Sequence, residues 1–141
     1  NDWDFIINRC KVNGLVVLNS DNEIKISEPK KSDSQPDLTI TNGLSTLNFD
    51  AQIDSSSQLS SLTLDSWDYF TDKKNQNKAV EPSLIANNNL TGKKISASTS
   101  PTTININIPQ TTEVSELKAI SNAILQNSRL NRIVGRAKFK V

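Results

Sequence analysis

Between Leu47 and Asp54 apolar and polar residues alternate without a break. Leu47, Phe49, Ala51 and Ile53 hold one parity, and Asn48, Asp50, Gln52 and Asp54 the other. Side chains along a strand point to opposite faces in turn, so this is the pattern of a strand with one dry and one wet face. Such a strand needs neighbours, and the sequence offers them. In "TININIP" Ile104, Ile106 and Ile108 share a face, and Pro109 ends the run. In "RIVGRAKFKV" Arg136, Lys138 and Lys140 form a row of cations opposite Ala137, Phe139 and Val141, which predicts one packed face and one charged face. "LTIT" and "LSSLTLDSWDYF" also read as strands. In the second, Leu62 and Leu64 sit on one parity while Trp67 and Tyr69 sit on the other, which predicts a bulge near Asp65-Ser66 or a change of sheet. Trp67 and Tyr69 are expected to fill a corner of the core.

The helices stand at the two ends of the chain. The first is expected from Asp2 to Asn13, capped by Asn1 or Asp2 and stopped at Gly14, where a left-handed residue without a Cβ is wanted. Trp3, Ile6, Ile7 and Cys10 fall on one stripe and should pack on the chain's own sheet. Phe5 and Val12 lie on nearly the opposite side. Two readings account for them: contact with a neighbouring module or subunit, or a loop of the same chain folding back over Phe5. A β-hairpin turning at Asn19-Ser20-Asp21-Asn22 follows. After it comes the polar connector "KKSDSQPD" with Pro36. The stretch 71–103 reads as a long polar loop. A second helix is expected over about 112–130, capped by Thr111 or Thr112. Val114, Leu117, Ile120, Ile124 and Leu125 form its apolar side, with Lys118, Asn122, Gln126 and Arg129 on the opposite side. The order implies α+β with a mainly antiparallel sheet.

At 141 residues the chain has the length of one domain. It contains no His and a single cysteine, Cys10, which excludes Ser-His and Cys-His nucleophiles, imidazole zinc sites and an internal disulfide. Asp50, Asp54, Asp65, Asp68 and Asp72 are read as solvent-facing acids, so no catalytic, metal or cofactor residue is assigned. A net charge of +1 does not suggest a nucleic-acid binder, and no apolar run reaches the ~18 residues of a membrane helix. The opening on a capped helix suggests a chain that starts partway through a longer one.

Three stretches in order resemble one family. "NDWDFIINRCKVNGLVV" is similar, through Asp2, Trp3, Asp4, Phe5, Arg9 and Gly14, to a helix of the VgrG proteins, the trimeric spikes of type VI secretion systems, themselves similar to phage baseplate hubs. "SWDY" (Trp67 and Asp68 within it) resembles the end of a strand in the same proteins, and "SRLNRIVGRAKFKV", with Gly135, their helix-to-strand segment. The resemblance implies a fragment of the hub region: residues 1–36 as helix and hairpin, and 37–141 as a β-barrel-like tube module. It also implies a non-enzymatic structural role, adapting a hexameric tube to a three-fold needle. The implied partners are further copies in a homotrimer, the tube protein, a spike-tip protein with effectors, and baseplate proteins. Nucleic acid and membrane insertion are not among them. Assembly in the bacterial cytoplasm and delivery outside the cell follow from the same likeness. On this reading Phe5 and Val12 face other subunits. Arg136, Lys138 and Lys140 line a tube lumen or pair with acids of the adjoining subunit; the plainer alternative is a row of cations that keeps a strand soluble. The rival readings are a β-rich binding or adhesin module and a carboxylate-dependent hydrolase, which needs two acids about 5–9.5 Å apart.

Overall fold

The structure is a computed structural model that describes residues 1–29, 41, 46–84, 91–99 and 103–139. Helix α1 (Asp2–Val12) is capped by Asn1, whose Oδ1 accepts the Trp3 amide at 3.0 Å. It ends at Gly14, whose φ of +70° suits a residue without a Cβ. The Leu15 amide reaches back to the Cys10 carbonyl and the Gly14 amide to Lys11, the paired bonds that close a helix at a left-handed residue. Strands β1 (Val16–Ser20) and β2 (Glu23–Ser27) then form a hairpin turning on Asp21 and Asn22, both at positive φ. Two left-handed residues make the turn whose twist matches that of the flanking strands.

Strand β3 (Thr46–Ile53) is followed by β4 (Ser61–Asp68), β5 (Lys73–Lys78), helix α2 (Gly92–Thr99), β6 (Thr103–Ile108), helix α3 (Val114–Leu130) and β7 (Ile133–Phe139). β4 is the centre of a three-stranded sheet, antiparallel to β5 and parallel to β6. α3 lies across this sheet. Leu62 and Leu64 of β4 meet Leu117 of α3 in the fully buried core, surrounded by Leu59, Ala79, Ile104, Ile108, Ile120 and Ile124. β3 and β7 pair antiparallel in a separate ribbon with a bulge between Thr46 and Asn48. The architecture is α+β with a helix near each end, and among the described residues no sheet closes into a barrel.

Several expectations are corrected. Register along β4 runs unbroken on both sides, so there is no bulge at Asp65-Ser66. Leu62, Leu64 and Ser66 face α3, while Trp67 and Tyr69 are 42% and 71% exposed on the outer side, so neither ring fills the core. The 71–103 stretch contains β5 and α2, because polar Asn and Ser side chains there bond to other elements. α1 packs on α3 and β1, with Cys10 buried and Ile6 and Ile7 half-buried. Trp3 is left 36% exposed. Thr112 caps nothing: buried, it exchanges bonds with Ser66 and fixes the lead into α3 against the sheet. Residues 38–40 of "LTIT" and the connector with Pro36 lie outside the described residues.

The abundance of Asn and Ser has a structural use. Asn77 donates to Ser121 Oγ at 2.8 Å, Asn122 accepts the Val80 amide at 2.9 Å, and Ser128 donates to the Ser57 carbonyl at 2.7 Å. Gln126 donates to the Gly14 carbonyl and ties α1 to α3. A modest apolar core is thus supplemented by bonds that satisfy buried polar groups between elements.

Candidate interaction surface

The sequence predicts contact residues on α1 and β7, and the structure places them on two open surfaces. On α1, Phe5 is 63% and Val12 43% exposed. No loop covers Phe5 among the described residues. Its ring instead lies 5.7 Å from the Arg9 guanidinium, a favourable but water-accessible cation–π contact.

The second surface is the β3–β7 ribbon. Its register opposes Phe49 to Ala137, Ala51 to Gly135 and Ile53 to Ile133. Directly opposed residues share a face, so these six form an apolar side, which Phe139 extends. The other side carries Asn48 opposite Lys138, Asp50 opposite Arg136 and Gln52 opposite Val134. An open depression of about 480 Å³ runs over Asp50, Gln52, Val134 and Arg136. The expectation that one face of β7 packs within the chain is not met. Phe49, Ile53, Val134 and Phe139 are all about half exposed or more, because no other described helix or strand packs extensively on the ribbon. Arg136 and Lys138 are exposed as well, and Lys140 lies outside the described residues.

The edges of the three-stranded sheet differ in kind. β5, "KKNQNK", presents Lys73, Lys74 and Lys78 and no apolar residue. β6, "TININI", carries no charge at all. Beyond β4 the chain turns tightly: Asp68 accepts the Phe70 amide at 2.9 Å and the Thr71 hydroxyl at 2.6 Å. These bonds hold the Asp68 carboxyl below its ordinary pKa, chiefly through Thr71. Asp54 is lowered in the same way by Ser56. Both acids are turn anchors. Asp65 accepts from Asn107 and pairs with Lys74 at 3.4 Å. No group of three or more His, Cys, Asp or Glu could hold a metal ion among the described residues.

Sequence reasoning missed one site entirely. Arg129, expected on the wet side of α3, is 4% exposed. Its Nε and Nη2 grip the two carboxylate oxygens of Glu81 at 2.7 and 3.0 Å, and Nη1 reaches Gln58 at 3.4 Å. Gly92 makes room for it, since a Cβ there would fall 2.4 Å from Arg129 Cδ. The only signal in the sequence was position, four residues after the buried Leu125. The node is structural, with the Arg129 donors spent on Glu81 and Gln58.

The fold leaves one side of α1 and the β3–β7 ribbon open, while Asp54 and Asp68 are held in turns and Arg129 and Glu81 in a clamp. The family assignment is specific: the Alg8 N-terminal domain matches residues 1–140, and the chain belongs to that family. No curated protein matches the chain. The match overturns the resemblance drawn from the three motifs, since the family is that of Alg8 and not a VgrG or baseplate-hub family. The spike-hub role and the type VI secretion assignment are corrected with it. Alg8 is a name carried by glycosyltransferases, so a flat exclusion of any enzymatic origin is withdrawn. Among the described residues no helix is long and apolar enough to cross a membrane.

Proposed function

We propose that this domain works by association with further copies of itself. The carrying observation is the β3–β7 ribbon, whose apolar side of Phe49, Ile53 and Phe139 is open to water. An isolated two-stranded ribbon is marginal in water, so a cover over this side contributes directly to its order. Fully burying a Phe side chain stabilises by ~1.5–3 kcal/mol relative to exposure, so a few such residues are enough to drive contact. Phe5 and Val12 of α1 supply a second patch for the same purpose.

The test is sedimentation of the full-length protein over a wide concentration range, with Phe49→Ser and Phe5→Ser beside it. Concentration-dependent association that either substitution weakens, with the monomer's melting midpoint little changed, supports the reading. A monomer at every concentration, or substitutions that lower only the melting midpoint, defeats it.

A further inference from the structure

We infer that the outer edge of β6 is the seat for strand β7 of a second copy, so that copies join head to tail through one continued sheet; this rests on the self-association proposed above. Unpaired sheet edges normally carry charge, Pro or a bulge that discourages pairing. β5 obeys this with Lys73, Lys74 and Lys78, whereas six-residue β6 has none of these devices within it. Its outer edge pairs with nothing among the described residues.

The face pattern of β6 matches only one kind of neighbour. Ile104, Ile106 and Ile108 occupy one parity, and Asn105 and Asn107 the other. The ribbon is amphipathic in the same sense, with Phe49, Ala51, Ile53, Ile133 and Ala137 on one side and Asn48, Asp50, Arg136 and Lys138 on the other. Laid beside β6, it continues the apolar face on one side and the polar face on the other. β5 is polar on both parities and cannot do this.

Charge selects between the ribbon's two edges. The acid next to β6 is Asp65 of β4, in register with Asn107 and bonded to it. Lys74 of β5 is already paired to it at 3.4 Å, so the charges set a preference between edges and not a new ion pair. β3 would bring Asp50 toward it and be repelled. β7 brings Arg136 and Lys138 and is attracted, while the same cations repel the lysines of β5. The lengths agree, seven residues in β7 against six in β6. A donor edge and a different acceptor edge on one chain make a heterologous contact, which closes into a ring or runs on as a filament.

Two variants of the full-length protein test this. Asn105→Lys with Asn107→Lys places cations on the acceptor edge. Lys138→Glu reverses the donor and leaves Arg136, which faces Asp50 across the ribbon, in place. Each alone is expected to weaken self-association at least tenfold, with circular dichroism and melting midpoint near wild type. Mixing the two is expected to restore association, since the altered acceptor meets the altered donor and the native edges meet each other. Misfolding would not be rescued by mixing. Wild-type association that neither variant weakens, or two folded variants that stay apart when mixed, overturns this choice of edges and leaves self-association standing. A wild type that never associates overturns both.

Discussion

Arg129 holds Glu81 at two points, Nε to Oε1 at 2.7 Å and Nη2 to Oε2 at 3.0 Å, yet the two side chains differ sharply in exposure, 3% against 46%. The guanidinium is sealed under Gly92 and Gln58, while the carboxylate still meets water. The pair is therefore asymmetric.

Removing the acid should cost more than removing the base. Glu81→Ala leaves a buried cation without its counter-charge, and ~3 kcal/mol is expected from breaking such a pair. Arg129→Met fills the same space with apolar atoms and returns Glu81 to water, so about 1–2 kcal/mol is expected, set by the unpaired Gln58. Urea unfolding of both variants gives the comparison. Equal losses would mean that packing, not charge, governs the site.

Gly92→Ala probes the same clamp from above. Its Cβ would lie 2.4 Å from Arg129 Cδ and 2.7 Å from Gln58 Oε1, so the guanidinium has to move off Glu81. A loss of about 1–3 kcal/mol is expected from overpacking. In an Arg129→Ala background the same substitution should cost less, because the nearer obstruction is gone and only the Gln58 side chain has to shift. A double-mutant cycle showing simple additivity would contradict this account.

The β4–β5 turn should loosen in acid. Asp68 has its pKa depressed in the folded state, so its contribution is complete above the unfolded value and is lost as pH falls through the folded one. Amide exchange at Phe70 and Thr71 is therefore expected to show extra opening, beyond the intrinsic rate, as pH falls from about 4 downward. Thr71→Val, which removes the largest cause of the shift, should move the onset upward. Asp54, anchored by Ser56, titrates in the same direction and supplies an internal comparison.

Local pattern was a good guide wherever one residue type had one task. The Asn1 cap and the Gly14 stop stand where they were expected. β3 forms but lacks its dry side, and of the α3 stripe Leu117 and Leu125 are buried while Val114 is exposed. Reading failed where a residue's partner is far along the chain. Arg129 looks like any polar residue until Glu81 and Gln58 are brought to it, and Ser66 looks solvent-facing until Thr112 arrives. The same blindness applied to Trp67 and Tyr69, since period alone marks two faces and only the helix above decides which is dry. The candidate surface was legible in part. Phe5, Val12, Arg136 and Lys138 are exposed as an interface requires, but sequence gave no hint that both sides of the ribbon would be open.

The ribbon also carries a kinetic consequence. β3 ends at Ile53 and β7 begins at Ile133, so joining them closes a long loop holding every element from β4 to α3, a cost that grows with the logarithm of its length. Within one molecule little burial offsets that cost, whereas the β1–β2 hairpin closes over two residues. The hairpin and the α3-covered sheet are accordingly expected to form early, and β3–β7 to pair last, an order that pulsed amide exchange would check. If copies associate as proposed, a newly made chain meets its neighbours with these strands in their least finished state, and company would set the pace of its maturation.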